Sequence, residues 1–182
     1  MEQVSVRRFE SYFSGEGGRM LFRRAWIPPE PRHLFVLIHG YGEHSGRYDH
    51  VGAWFAARRC AVHAFDQRGH GRSDGVRCHV RHFGDFLDDL EQVLDRARAE
   101  HPELPCFLVG HSMGGLVAFH LALSYPRHYR GIILSSPFMA TQPATGPGRR
   151  LFTRLLSRLT PGLLLSTPVD PRGISHEPVY YT

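Results

Sequence analysis

The residues with the most chemistry in them lie at positions 106–119, CFLVGHSMGGLVAF. Gly110-His111-Ser112-Met113-Gly114 spells G-x-S-x-G, with a short apolar run before it and a second apolar run directly after it. That context predicts a strand, a tight turn and a helix, with Ser112 on the turn. Such an elbow strains the serine backbone so that Oγ stands clear at the carboxyl end of a sheet, and it aims the amides of a helix N-terminus at a developing negative charge. The glycines let neighbouring backbone pass without a Cβ. The chemistry would be nucleophilic catalysis, for which a serine hydroxyl also needs a base.

A second element fits the same chemistry. HLFVLIHG (33–40) is an apolar run closed by glycine and followed by Tyr41-Gly42-Glu43. Acyl transfer of this design takes one oxyanion donor from the residue after the nucleophile and another from the loop after this strand. The backbone N–H groups of Met113 and Tyr41 are therefore the expected pair. Other signals point elsewhere. In GHGRSDG (69–75) the third glycine comes one position late for a dinucleotide fingerprint and opens no helix, so a tight loop is expected and no cofactor. Of the thirteen histidines, His79 and His82 are three apart, but no H-E-x-x-H or carboxylate cluster accompanies them and no metal is expected.

These residues need a framework. Val4 to Phe13 and Met20 to Ile27 read as a hairpin around a Gly-rich turn. Residues 33–40, CAVHAFD (60–66), CFLVG (106–110) and GIILSS (131–136) read as strands, the first three buried on both faces. Helices are expected at about 46–59, with Val51, Trp54 and Phe55 on one side, at Phe83 to Ala99, and at 112–125. Strict alternation of strand and helix predicts an α/β fold with a mostly parallel sheet and helices on both faces. Residues 137–149 are loop-like. Leu151, Phe152, Leu155, Leu156 and Leu159 then share one face of a helix whose other face carries Arg149, Arg150, Arg154 and Arg158. That helix is expected to bury its leucines over the site; a contact with a lipid surface is the second reading.

Composition narrows the class. The 182 residues are 42% hydrophobic and 21% charged, the balance of a globular chain rather than a disordered one. The net charge is +5, all 22 basic residues are arginine, and they are scattered, so no nucleic-acid partner is expected. Cys60, Cys78 and Cys106 form no C-x-x-C pair, which favours a reducing compartment. With no signal-peptide h-region and no apolar run of membrane-spanning length, a cytoplasmic location is expected.

HGYGEHSGRY (39–48), FDQRGHGRSDG (65–75), GHSMGG (110–115) and IILSSP (132–137), in that order, resemble the α/β-hydrolase superfamily, closest to monoacylglycerol lipases and lysophospholipases grouped with serine aminopeptidase-like hydrolases. The resemblance covers about residues 5–140. It implies Ser112 as nucleophile, Tyr41 and Met113 as oxyanion donors, and an acyl-serine route for cleaving the ester of a single-chain lipid. It also implies a core over 1–136 and the beginning of a cap over 137–182. The family places its catalytic Asp and His beyond two further strands, whereas only 70 residues follow Ser112 here. The fold is thus expected to be incomplete at its C-terminal end and the chain alone weak or inactive. Asp170 and His176 are the in-chain candidates in the right order, six residues apart in an unpatterned stretch. His111, beside the serine, is expected to be a packing residue. The alternatives are another serine hydrolase, an esterase or a peptidase, and a non-catalytic hydrolase remnant.

Overall fold

A computed structural model of the chain describes residues 5–125 and 129–139, together with Gly148 and Leu159. The chain divides into two compact units, Met1–Ala140 and Thr141–Thr182. The first is built as β1 (Arg7–Ser14), β2 (Met20–Ile27), β3 (His33–Ile38), α1 (Asp49–Ala56), β4 (Cys60–Phe65), α2 (Gly84–Glu100), β5 (Cys106–His111), α3 (Met113–Ser124) and β6 (Gly131–Ser135). One sheet holds all six strands in the order β1-β2-β4-β3-β5-β6. β1 and β2 form the expected hairpin, and β2 joins β4 antiparallel. From β4 through β3 and β5 to β6 every pairing is parallel.

Period-two alternation sends each strand's residues to two cores. Leu34, Val36 and Ile38 of β3 join Leu90, Val93 and Leu94 of α2 and Val117 and Leu121 of α3. Phe35 and Leu37 face the other side, where Val62 and Ala64 of β4 meet Ala56, Val51 and Phe55 of α1. Helices therefore cover both faces, as the alternating pattern predicts. Two local expectations differ. The helix expected at about 46–59 is a 3₁₀ turn, Ser45–Tyr48, leading into the shorter α1. Trp54 is 53% exposed, with the Arg58 guanidinium 3.6 Å from its ring centroid. Gly52 takes the inward position instead and packs so closely that a Cβ there would sit 2.5 Å from the Trp26 indole. β5 is fully buried only at alternate residues, Cys106, Leu108 and Gly110.

Candidate active site

β5 ends at His111 and α3 starts at Met113, so Ser112 alone makes the turn. It does so at φ 50°, ψ −116°, a conformation that costs a residue with a Cβ roughly 1–3 kcal/mol. Neighbouring backbone holds it there. Its N–H donates to Ser135 O (3.0 Å), and its carbonyl accepts from Phe138 N–H (3.0 Å) and Leu116 N–H (3.2 Å). The flanking glycines are steric necessities: a Cβ on Gly110 would lie 2.5 Å from Gly114 O, and one on Gly114 would run into the carbonyl oxygens of Ile38 and His39. The start of α3 is thereby pressed against the end of β3. Met113 N–H, at the first helical position, is one of the N-terminal amides with no acceptor inside the helix.

The loop after β3 lies beside the elbow. A Cβ on Gly40 would come within 3.3 Å of Ser112 Cβ and 2.5 Å of Glu43 Oε1. Gly42 has φ 71°, the left-handed conformation that suits glycine. Tyr41 is 61% exposed; its hydroxyl is 3.4 Å from Cys78 O, and its ring meets His70 edge-on. Beneath the loop, His39 is fully buried. Its Nε2 accepts from Gln67 N–H (2.9 Å) while Nδ1 lies 2.7 Å from Gly40 O, which assigns the ring proton to Nδ1. Burial is the largest cause pushing the His39 imidazole down to about 4, so the ring is neutral at neutral pH and works as a bolt between two loops.

The loop after β4 is tied to the loop after β3 and to α2. Asp66 accepts from Ser45 N–H (2.7 Å), Ser45 Oγ–H (2.6 Å) and Arg72 N–H (2.8 Å). Arg68 forms a buried bidentate pair with Asp89 of α2, at 2.6 and 2.7 Å, and reaches Asp85 at 3.0 Å. Sequence reasoning did not identify His39, Gln67 or the Arg68–Asp89 pair as supports of the site. A charged or polar residue beside an apolar run signals nothing until its partner, here 21 residues away, is known.

His111 points its Nδ1 at Ser135 O (3.1 Å) and Ser135 Oγ (3.2 Å), and its Nε2 stands 3.8 Å from Glu43 Oε1. It contacts the end of β6 and stands beside the β3 loop. Glu43 also accepts from the Tyr48 hydroxyl at 3.2 Å. Among the described residues none hydrogen-bonds the Ser112 hydroxyl. Asp170, His176 and the basic segment 149–158 lie outside the described residues; Leu159 is helical and exposed.

A mostly parallel sheet with a strained serine on the turn from its β5 into a covering helix, and a glycine-containing loop from the adjacent β3 laid against that serine, is the α/β-hydrolase arrangement. Within it, the chain belongs to the family described as serine aminopeptidase, S33, which matches residues 29–181. It is 38% identical over 176 residues to a monoacylglycerol lipase of Mycolicibacterium smegmatis, covering 96% of this chain and 62% of that protein. It is also 38% identical over 160 residues to the monoglyceride lipase of Homo sapiens, covering 87% of this chain and 52% of that one. The crystal structure of the Paleococcus ferrophilus monoacylglycerol lipase superposes with a TM-score of 0.73 at 36% identity, over 87% of this chain and 59% of that one. A soluble variant of the Saccharomyces cerevisiae monoglyceride lipase, solved with a substrate analog, also gives 0.73, at 27% identity, over 98% of this chain and 61% of that one. The chain thus spans between half and two-thirds of the length of these relatives.

Proposed function

We propose that this chain carries the nucleophile and the oxyanion site of a carboxylic ester hydrolase of monoacylglycerol lipase type. The observation that carries the reading is Ser112 held at positive φ between β5 and α3, with the Gly40 loop against it. In this reading Ser112 Oγ attacks the ester carbonyl carbon of a single-chain lipid. The backbone N–H groups of Tyr41 and Met113 receive the oxyanion; one such donor typically contributes roughly 3 kcal/mol to the transition state. Collapse expels glycerol, which takes its proton from the imidazolium that had accepted the serine's, and leaves acyl-Ser112, which water then hydrolyses to the fatty acid. The imidazole that takes the serine proton, and the carboxylate that orients it, come from outside the described residues. The substrate class is that of two relatives, a monoacylglycerol lipase and a monoglyceride lipase. A second reading, peptidase activity, rests on the family's description as serine aminopeptidase and would be cleavage of an aminoacyl amide.

A panel of monoacylglycerols, short nitrophenyl esters and aminoacyl amides separates these readings. Monoacylglycerol turnover is expected to lead the panel, at whatever absolute rate, and to vanish in Ser112→Ala. Turnover that survives Ser112→Ala overturns the assignment; faster turnover of the amides supports the second reading. We read 137–182 as cap, with the basic segment 149–158 touching lipid. Arg150→Glu together with Arg154→Glu is then expected to weaken liposome binding, and unchanged binding removes the membrane contact. The three cysteines are free, in keeping with a reducing, cytoplasmic location. No helix among the described residues is long and apolar enough to cross a membrane.

A further inference from the structure

His63 sits in the middle of β4 on the face covered by α2, where Ala61 and Phe65 on either side are core. It is 0% exposed, and neither ring nitrogen has a hydrogen-bond partner. A buried polar atom left unpaired is costly, and two on one ring is an unusual load for a strand interior. The last turn of α2 supplies what faces it. Glu100 Oε2 stands 3.9 Å from His63 Nε2, too long for a hydrogen bond. The His101 ring meets the His63 ring edge-on at 5.5 Å, and its buried Nε2 is likewise unpartnered. One donor atom from each of His63, Glu100 and His101 lies within 4.8 Å of the others.

We propose that His63, Glu100 and His101 form a zinc-class divalent metal site. Two imidazoles and a carboxylate are the donors that Zn²⁺ and its borderline neighbours prefer, and three protein ligands leave a fourth position for water. Tetrahedral bonds of about 2.0–2.1 Å put donors roughly 3.4 Å apart, so the present spacing closes by turning the side chains of Glu100 and His101. The supporting groups are in place. Glu100 Oε1 accepts from Arg23 at 2.5 Å, which leaves Oε2, 3.9 Å from His63 Nε2, free to turn toward an ion. A cavity of about 410 Å³ lined by Arg7, Phe9, Arg23, Glu100 and His101 gives access. Arg7 and Arg23 place positive charge beside the ion, so the expected affinity is micromolar rather than that of a closed structural zinc site. The site lies where α2 ends, toward the amino end of β5, whereas Ser112 follows its carboxyl end; it is independent of the hydrolase reading. A bound ion would staple the end of α2 to β4.

The test is titration of the full chain with Zn²⁺ against a chromogenic chelator, with Co²⁺ absorption as a spectroscopic readout. One equivalent is expected to bind at micromolar affinity and raise the melting midpoint, with Co²⁺ showing the intense visible bands of tetrahedral ligation. Glu100→Gln and His101→Gln, both at partly exposed positions the fold tolerates, are each expected to weaken binding at least tenfold. Replacing the distant pair His79 and His82 by glutamine is expected to leave it unchanged. Absence of binding, or binding indifferent to Glu100→Gln and His101→Gln, overturns the site.

Discussion

Ser112 is in the wrong part of conformational space for a residue with a Cβ, and the structure keeps it there by tying its N–H to Ser135 and its carbonyl to Phe138 and Leu116. The strain is stored in the backbone and so survives loss of the hydroxyl. Ser112→Gly should therefore be more stable than Ser112→Ala by about 1 kcal/mol, the relief of strain less the extra chain entropy of glycine. Urea unfolding of the two variants measures this; equal midpoints would show that the elbow is unstrained. Gly40 acts differently, since the nearest obstacles to a Cβ there are the Glu43 carboxylate and Ser112 Cβ. Gly40→Ala is expected to cost activity through displacement of the site, with stability changed by less than about 1 kcal/mol because the Glu43 side chain can swing away.

Between elements, the contacts are rigid. The first turn of α3 crosses the end of β3 so closely that Gly114→Ala drives a methyl into two backbone carbonyls, which cannot rotate aside. Overpacking of this kind is expected to lower stability by about 3 kcal/mol in denaturant unfolding. The loop after β4 is held to α2 by charge. Asp89→Ala removes the bidentate partner of the buried Arg68 guanidinium while Asp85 stays at 3.0 Å, and a loss of about 3 kcal/mol is expected, at the low end for breaking a buried pair. A loss under about 1 kcal/mol would mean that Asp85 suffices. Elements were the most legible level in the sequence, because α2 declares itself through its period and the buried strands through short continuous apolar runs. The pairings that lock them did not, since nothing in the spacing of Arg68 and Asp89, 21 residues apart, marks them as partners.

Across the whole molecule, two buried neutral histidines set the response to acid. His39 is pushed down to about 4 and His63 to about 3, burial being the first cause in both. In the unfolded chain each titrates near 6.5, so between pH 6.5 and 4 the unfolded state binds protons that the folded state refuses. Stability from these groups is complete above pH 6.5 and falls as pH drops toward 4, by up to about 1.4 kcal/mol per pH unit for each ring. Urea unfolding at pH 7, 5.5 and 4 is expected to show a steady decline, reduced in His39→Gln relative to the parent. A flat profile would mean that the rings are solvated. Saturating Zn²⁺ should steepen the acid response, since protons compete with the metal for the same nitrogens.

The serine elbow, the strand–helix alternation, the antiparallel hairpin and the loop beside the nucleophile could all be read from the chain, because each is a short-range pattern whose physics lies in a few neighbouring residues. What depended on the fold were the facing partners. Gly52 rather than Trp54 packs on Trp26, His39 bolts Gln67 to Gly40, Arg68 finds Asp89, and His63 meets Glu100 and His101 across α2 and β4. Those contacts join residues far apart in sequence. Their energies come from burial and direct geometry, which exist only once the sheet has brought the strands into register and the helices have closed over it.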